Sequence, residues 1–179
     1  VGDDLHIAWG GGEPTIRKDF NDLFFSINRK FHPKTQRVFT NALKYSSALQ
    51  NALDDRTTSI TTSVDAGTEA TFRKIRDSKG LDKVLKSLDR YAKNNPDLVT
   101  IKYIFTLDNY DSENLSKFVE KVKKNNLVRC NYLISTDFNY ETLSNELIIS
   151  IISLYFRLYS EGIYTVSFDD HVFILIKTQ

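Results

Sequence analysis

Several polar segments in this chain each follow a short apolar run, and they hold the residues best suited to chemistry. The first is Gly10-Gly11-Gly12-Glu13-Pro14. Gly11 and Gly12 carry no side chains, so backbone groups there can approach a ligand closely, while Glu13 and Pro14 set the course of the loop. Taken alone, the same residues also suit a tight strand-to-helix turn. Next come Thr40-Asn41, then Ser63-Val64-Asp65-Ala66-Gly67, then Thr106 to Asn109 and Ser135 to Asp137. Lys102 stands apart because it interrupts the apolar run Ile101-Lys102-Tyr103-Ile104-Phe105. A lysine in such a strand needs a partner or a function. It would bind a cofactor carboxylate or substrate anion, form a Schiff base, or reach solvent or an acid with its amine.

The elements that must position these residues alternate between short apolar runs and amphipathic stretches, the pattern of parallel strands joined by helical crossovers. Residues 5–9 form the first expected strand, and a helix follows from about Lys18, with Phe20, Leu23, Phe24, Ile27 and Phe31 on one face and Pro33 at its end. Residues 37–40 and 58–64 are the next strands, separated by a helix over 46–54. Two helices follow: one is capped by Thr68, and the other spans 81–93 and stops at Asn94-Asn95-Pro96. The expected strand over 98–105 precedes a helix from about Ser112. The strand over 128–134 precedes a long helix over 140–161, closed by Gly162. The run from Leu147 to Leu158 is too short for a membrane span and reads as a buried helix. At the end, residues 163–168 and 172–176 are strand-like and separated only by Asp169-Asp170-His171, which suggests a C-terminal β-hairpin.

The expected fold is therefore α/β: residues 1–179 as one domain forming a partial (β/α) barrel of mostly parallel strands. The strand so near Val1 and the short length suggest a barrel whose first βα unit is missing. The 24 basic and 23 acidic residues nearly cancel and are scattered, so no strong field recruits nucleic acid or an anionic membrane. A single cysteine, Cys130, excludes an internal disulfide and fits a reducing, cytoplasmic setting. The three histidines lack metal-ligand spacing.

Gly-Gly-Glu-Pro after one strand, Thr-Asn after the next and Ser-Val-Asp-Ala after the third, in that order, resemble the radical S-adenosylmethionine enzymes. The resemblance extends to about Ser135, and Ala42 stands where a glycine often follows the Thr-Asn pair. It implies S-adenosylmethionine as cofactor, with the loop Gly11, Gly12, Glu13 and Pro14 meeting the amino group of its methionine portion through the backbone. It also implies cofactor contacts from Asn41, Ser63, Asp65 and Arg76, with Lys102 a candidate for the carboxylate. The other reading of Arg76 is an exposed helix charge. In the intact parent, the resemblance implies a 4Fe-4S cluster on three cysteines spaced Cys-x3-Cys-x2-Cys and formation of a 5′-deoxyadenosyl radical. One cysteine cannot supply three thiolates, so the chain by itself is expected to be inactive. The cysteine segment lies upstream or was lost. The rivals are a lysine-dependent β/α-barrel aldolase or isomerase using Lys102, and a degenerate barrel serving as a binding module. An unpaired first strand would favour a homodimer through that edge, and the substrate, a small molecule or a peptide, is left open.

Overall fold

In the computed structural model, which describes residues 4–177, six parallel strands form one open sheet in the order of the chain. They are β1 (His6–Trp9), β2 (Thr35–Phe39), β3 (Ser59–Ser63), β4 (Val99–Phe105), β5 (Asn131–Thr136) and β6 (Val166–Phe168). Between and after them run α1 (Phe20–Phe31), α2 (Ser47–Asp54), α3 (Glu69–Arg76), α4 (Leu81–Ala92), α5 (Ser112–Lys124), α6 (Asn145–Ser160) and α7 (Asp170–Lys177). Right-handed crossovers between parallel strands that never reverse order put every connecting helix on the same face of the sheet. The other face is left concave, and the α/β partial-barrel expectation holds.

Strand alternation shows which residues face which side. In β4, Val99, Ile101, Tyr103 and Phe105 are buried, while Thr100, Lys102 and Ile104 between them are half-buried on the concave side. Tyr103 packs edge-on against Phe118 of α5, which in turn meets Tyr132 of β5. Leu81, Val84, Leu85 and Leu88 of α4 are each fully buried, contributing roughly 1.5–3 kcal/mol apiece relative to exposure. The helix ends follow local chemistry. Ser46, Thr68, Asp111 and Ser144 each accept a backbone N–H from the first turn of the helix they precede. Gly162, at φ 80°, lies just past the end of α6, where a left-handed residue was expected.

Three sequence expectations need correction. Residues 172–176 are not the second strand of a hairpin. β6 pairs parallel with β5 through Tyr132–Val166 and Ile134–Phe168, and the chain then enters α7. The β-branched run Val172 to Ile176 suggested a strand, but the Val172 N–H bonds to the Asp169 carbonyl and turns the chain into a helix with Val172 and Leu175 buried. Residues 140–144 lie outside α6, which starts only where Ser144 caps it. The apolar run in α6 is buried on one side only: Leu147, Ile151, Leu154 and Leu158 face the core, whereas Ile149, Ile152 and Phe156 are exposed. No helix among the described residues is long and apolar enough to cross a membrane.

The backbone packs closely at Gly67, in the loop after β3. Its N–H donates to Asn114 Oδ1 at 2.9 Å, and an added Cβ would lie 2.0 Å from the Asn114 carbonyl oxygen and 2.4 Å from the Phe118 nitrogen. Both are backbone atoms of α5 and cannot swing away. Gly67→Ala is therefore expected to destabilise the protein by about 3 kcal/mol or more, read as a lower urea midpoint. An unchanged midpoint would show that the loop and α5 separate easily.

Candidate functional site

Glu13 organises the strand-end mouth of the concave face. Its Oε1 accepts from the Thr15 N–H (3.1 Å), the Thr15 hydroxyl (2.5 Å) and the Thr40 hydroxyl (2.9 Å), and its Oε2 accepts from the Asn41 N–H (2.5 Å). One carboxylate thus joins the loop after β1 to the loop after β2, through charge-assisted bonds about twice as strong as neutral ones. Pro14 opens a single 3₁₀ turn, Pro14–Ile16, where its missing N–H costs nothing. Gly11 and Gly12 have φ of 78° and 138° with open space around their Cα atoms, so the loop depends on the conformational freedom of glycine. The loop after β2 closes on itself: Ala42 N–H donates to the Thr40 hydroxyl and Leu43 N–H to Asn41 Oδ1, both at 3.0 Å. Ala42 is buried at φ 55°, a left-handed position, which gives a physical reason for glycine to be common there.

Asp65 belongs to the framework beneath the mouth. It is 1% exposed, at φ 56°, and its Oδ1 accepts the Ile104 N–H at 2.7 Å while Oδ2 pairs with Arg76. Its carbonyl accepts from Asn109 Nδ2, and the same amide nitrogen bonds the Ile104 carbonyl. Asn114, also buried, donates to the Tyr103 hydroxyl and the Asn109 carbonyl. Together these side chains occupy the backbone groups exposed where β3 and β4 diverge. Burial pulls the Arg76 pKa below its usual value.

A cavity of about 880 Å³ occupies the concave face. Of the residues singled out in the sequence, Gly12, Glu13, Asn41, Ser63, Arg76 and Lys102 line it together. Gly11, Pro14 and Asp65 do not: the first two belong to the same loop, and Asp65 acts through Arg76. Sequence reading missed Arg37, Thr61, Thr100 and Asn131, which also line the cavity. The signal was present, since each alternates with a buried or partly buried outward residue along its strand.

Lys102 donates to Asp169 Oδ2 at 3.1 Å and lies 5.5 Å from the centre of the Phe138 ring. Asp169 also accepts from the Ser135 hydroxyl at 3.1 Å and the His171 N–H at 3.4 Å. Burial opposes its ionisation. Hydrogen bonds from Lys102, His171 and Ser135, with the charge of Lys102, outweigh that and hold its pKa below the ordinary carboxylate value.

Cys130 does not suit an iron–sulfur cluster. It is fully buried just before β5, at the end of the sheet opposite the mouth, and burial pushes its thiol pKa up to about 12. No group of three or more His, Cys, Asp or Glu suited to a metal ion occurs among the described residues.

No protein-family model matches the chain. It is 30% identical over 79 residues to the mitochondrial GTP 3′,8-cyclase of Arabidopsis thaliana, a match covering 44% of this chain and 20% of that one. Among solved structures, a radical SAM methyltransferase from Sphaerobacter thermophilus superposes with a TM-score of 0.63 at 14% identity, over 93% of this chain and 50% of that one. SuiB of Streptococcus suis, bound to S-adenosylmethionine, gives 0.62 at 14% identity, covering 92% and 37%. anSMEcpe with bound AdoMet and the Cp18Cys peptide gives 0.65 at 15% identity, covering 93% and 50%. The fold is that of the radical S-adenosylmethionine enzymes, as the ordered strand-end segments implied. The chain spans half or less of the length of each of these solved proteins.

Because the folded pKa of Asp169 is depressed, its contribution to stability is complete above the unfolded carboxylate value of about 3.9 and is lost as pH falls through the lower folded value. Asp169→Asn should therefore lower stability at neutral pH and flatten its decline below about pH 4. Urea midpoints at pH 7, 4 and 2.5 would show it. An acid limb as steep in the variant as in the wild type would rule out this carboxylate as a contributor.

Proposed function

We propose that the chain is a radical S-adenosylmethionine core unit that binds the cofactor across its strand-end mouth. The supporting observation is the Glu13 carboxylate, which joins the glycine loop to Thr40-Asn41 at the rim of a cavity also lined by Ser63, Arg76 and Lys102. A volume of about 880 Å³ lies within the roughly 300–1,000 Å³ range of small-molecule sites. The side-chain-free Gly11-Gly12 turn leaves its backbone open to an ammonium group. The Ser63 hydroxyl, without a side-chain partner among the described residues, is available to a ribose or carboxylate, and Arg76 and Lys102 supply positive charge for the carboxylate. Asp65 and Asp169 orient these two cations rather than meeting the ligand.

Bound in an enzyme of this class, S-adenosylmethionine supplies the adenosyl group from which a hydrogen-abstracting radical is made; the protein binds, orients and excludes water. The cluster that would drive that reaction needs three thiolates, and this polypeptide has one, buried away from the mouth. Cofactor binding is therefore assigned to the chain and cofactor cleavage is not. The Lys102 amine donates to Asp169, which favours an electrostatic role over that of a Schiff-base nucleophile.

Isothermal titration of the chain with S-adenosylmethionine should show saturable one-to-one binding. Glu13→Gln replaces one acceptor oxygen with a donor facing donors, so it should weaken binding at least tenfold, equivalent to about 1.4 kcal/mol. Absence of saturable binding to the wild type would refute the proposal. After anaerobic incubation with iron, sulfide and dithionite, no 5′-deoxyadenosine should form. Its formation would show that the chain assembles a cluster after all.

A further inference from the structure

We propose a second subsite, toward the N-terminal end of the same cavity, that binds the phosphate or carboxylate group of the substrate through the exposed Arg37, with the hydroxyls of Thr61 and Thr100 one layer above it. This goes beyond the cofactor reading and rests on it only in leaving the mouth to the nucleoside. The electrostatics of the cavity point to it. Among the described residues three cations line the space, and two are held in ion pairs: Arg76 with Asp65 and Lys102 with Asp169. Both oxygens of Glu13, the lining carboxylate, are occupied by donors from its own and the neighbouring loop. Arg37 has no ion pair and no side-chain hydrogen bond among the described residues. Its guanidinium is therefore the unmatched charge of the cavity, in the planar form that grips phosphate or carboxylate with paired bonds.

Position separates this subsite from the cofactor mouth. Arg37 lies in β2 three residues before Thr40, which follows the strand, a drop of about 10 Å toward the N-terminal end of the sheet. Above it, Phe39, Thr61 and Thr100 sit side by side in register across β2, β3 and β4. The two threonine hydroxyls are half-buried, face the cavity and bond no other side chain among the described residues. Phe39, 43% exposed, presents an apolar ring next to them. A complete barrel fills these inward layers with branched apolar side chains. Here the same layers hold hydroxyls, a cation and one exposed ring, which suits a ligand with an anionic end and a flatter apolar body.

The test uses the whole chain without S-adenosylmethionine, titrated separately with inorganic pyrophosphate and with succinate at ionic strength held constant by potassium chloride. Nitrogen-15 NMR follows the Arg37 Nε–H and the backbone amides of Phe39, Thr61 and Thr100. These signals should move together and saturate with at least one anion, and the tighter of the two identifies phosphate or carboxylate as the preferred group. Arg37→Gln should raise the dissociation constant at least tenfold. Arg37→Lys, which keeps the charge but not the planar fork, should fall between it and the wild type, and Arg129→Gln, on another surface, should change nothing. The Arg37 side chain is exposed and makes no hydrogen bond or ion pair among the described residues, so the variants should melt with the wild type. A response that never saturates, or one equal in Arg37→Gln, overturns the subsite. A chain that binds S-adenosylmethionine but neither anion would refute this proposal alone, and the opposite pattern would refute the cofactor reading alone.

Discussion

The mouth of an open parallel sheet is held together by the need to satisfy backbone groups where neighbouring strands part. As β3 ends and β4 continues, the N–H of Ile104 loses its ladder partner, and the buried carboxylate of Asp65 takes its place. Asn109 then ties the Asp65 and Ile104 carbonyls together, and Asn114 reaches from α5 to the Gly67 N–H. Between β1 and β2, Glu13 does the equivalent with Thr40 and Asn41. Leaving a buried polar group unpaired costs about 1–3 kcal/mol, so each of these side chains sets the path of a loop. The shape of the mouth depends on that bracing.

The same bracing governs charge. A carboxylate as deeply buried as Asp65 needs a counterion, and Arg76 supplies it from the end of α3 while its side chain borders the cavity. Lys102 and Asp169 repeat the arrangement across β4 and the end of β6, with Ser135 as a second donor to the acid. Paired in this way, the cations of the mouth are held in place and partly neutralised, which suits recognition of a zwitterion such as an amino acid. Arg37, below them, has no such partner among the described residues and stands as a separate electrostatic feature of the trough.

The chain has the framework of the radical S-adenosylmethionine fold and a single cysteine. Strand order, helix placement and the glycine loop are all here, and the superposition extends over more than nine-tenths of its residues. The one thiol is fully buried at the far end of β5, with its carbonyl bonded by Thr165, and serves as a small core side chain.

Sequence by itself determined the alternation of strands and helices, the partial α/β barrel and the ordered segments Gly11-Gly12-Glu13-Pro14, Thr40-Asn41 and Ser63 to Asp65, because these are set by short-range periodicity and turn chemistry. It also determined that no cluster of three thiolates can form, a matter of composition. Tertiary structure decided how each of these residues is used. Asp65 reads in sequence as a cofactor contact and becomes a brace, because its partner Ile104 is thirty-nine positions away. Lys102 acquires Asp169, sixty-seven positions further along the chain. The segment 172–176 has the composition of a strand and becomes α7, because a cap at Asp169 and burial of Val172 and Leu175 outweigh its β-branched propensity. Arg37 and Thr61 look unremarkable one strand at a time, and only the parallel register, which stacks inward positions from separate crossovers, brings them to successive layers of one cavity.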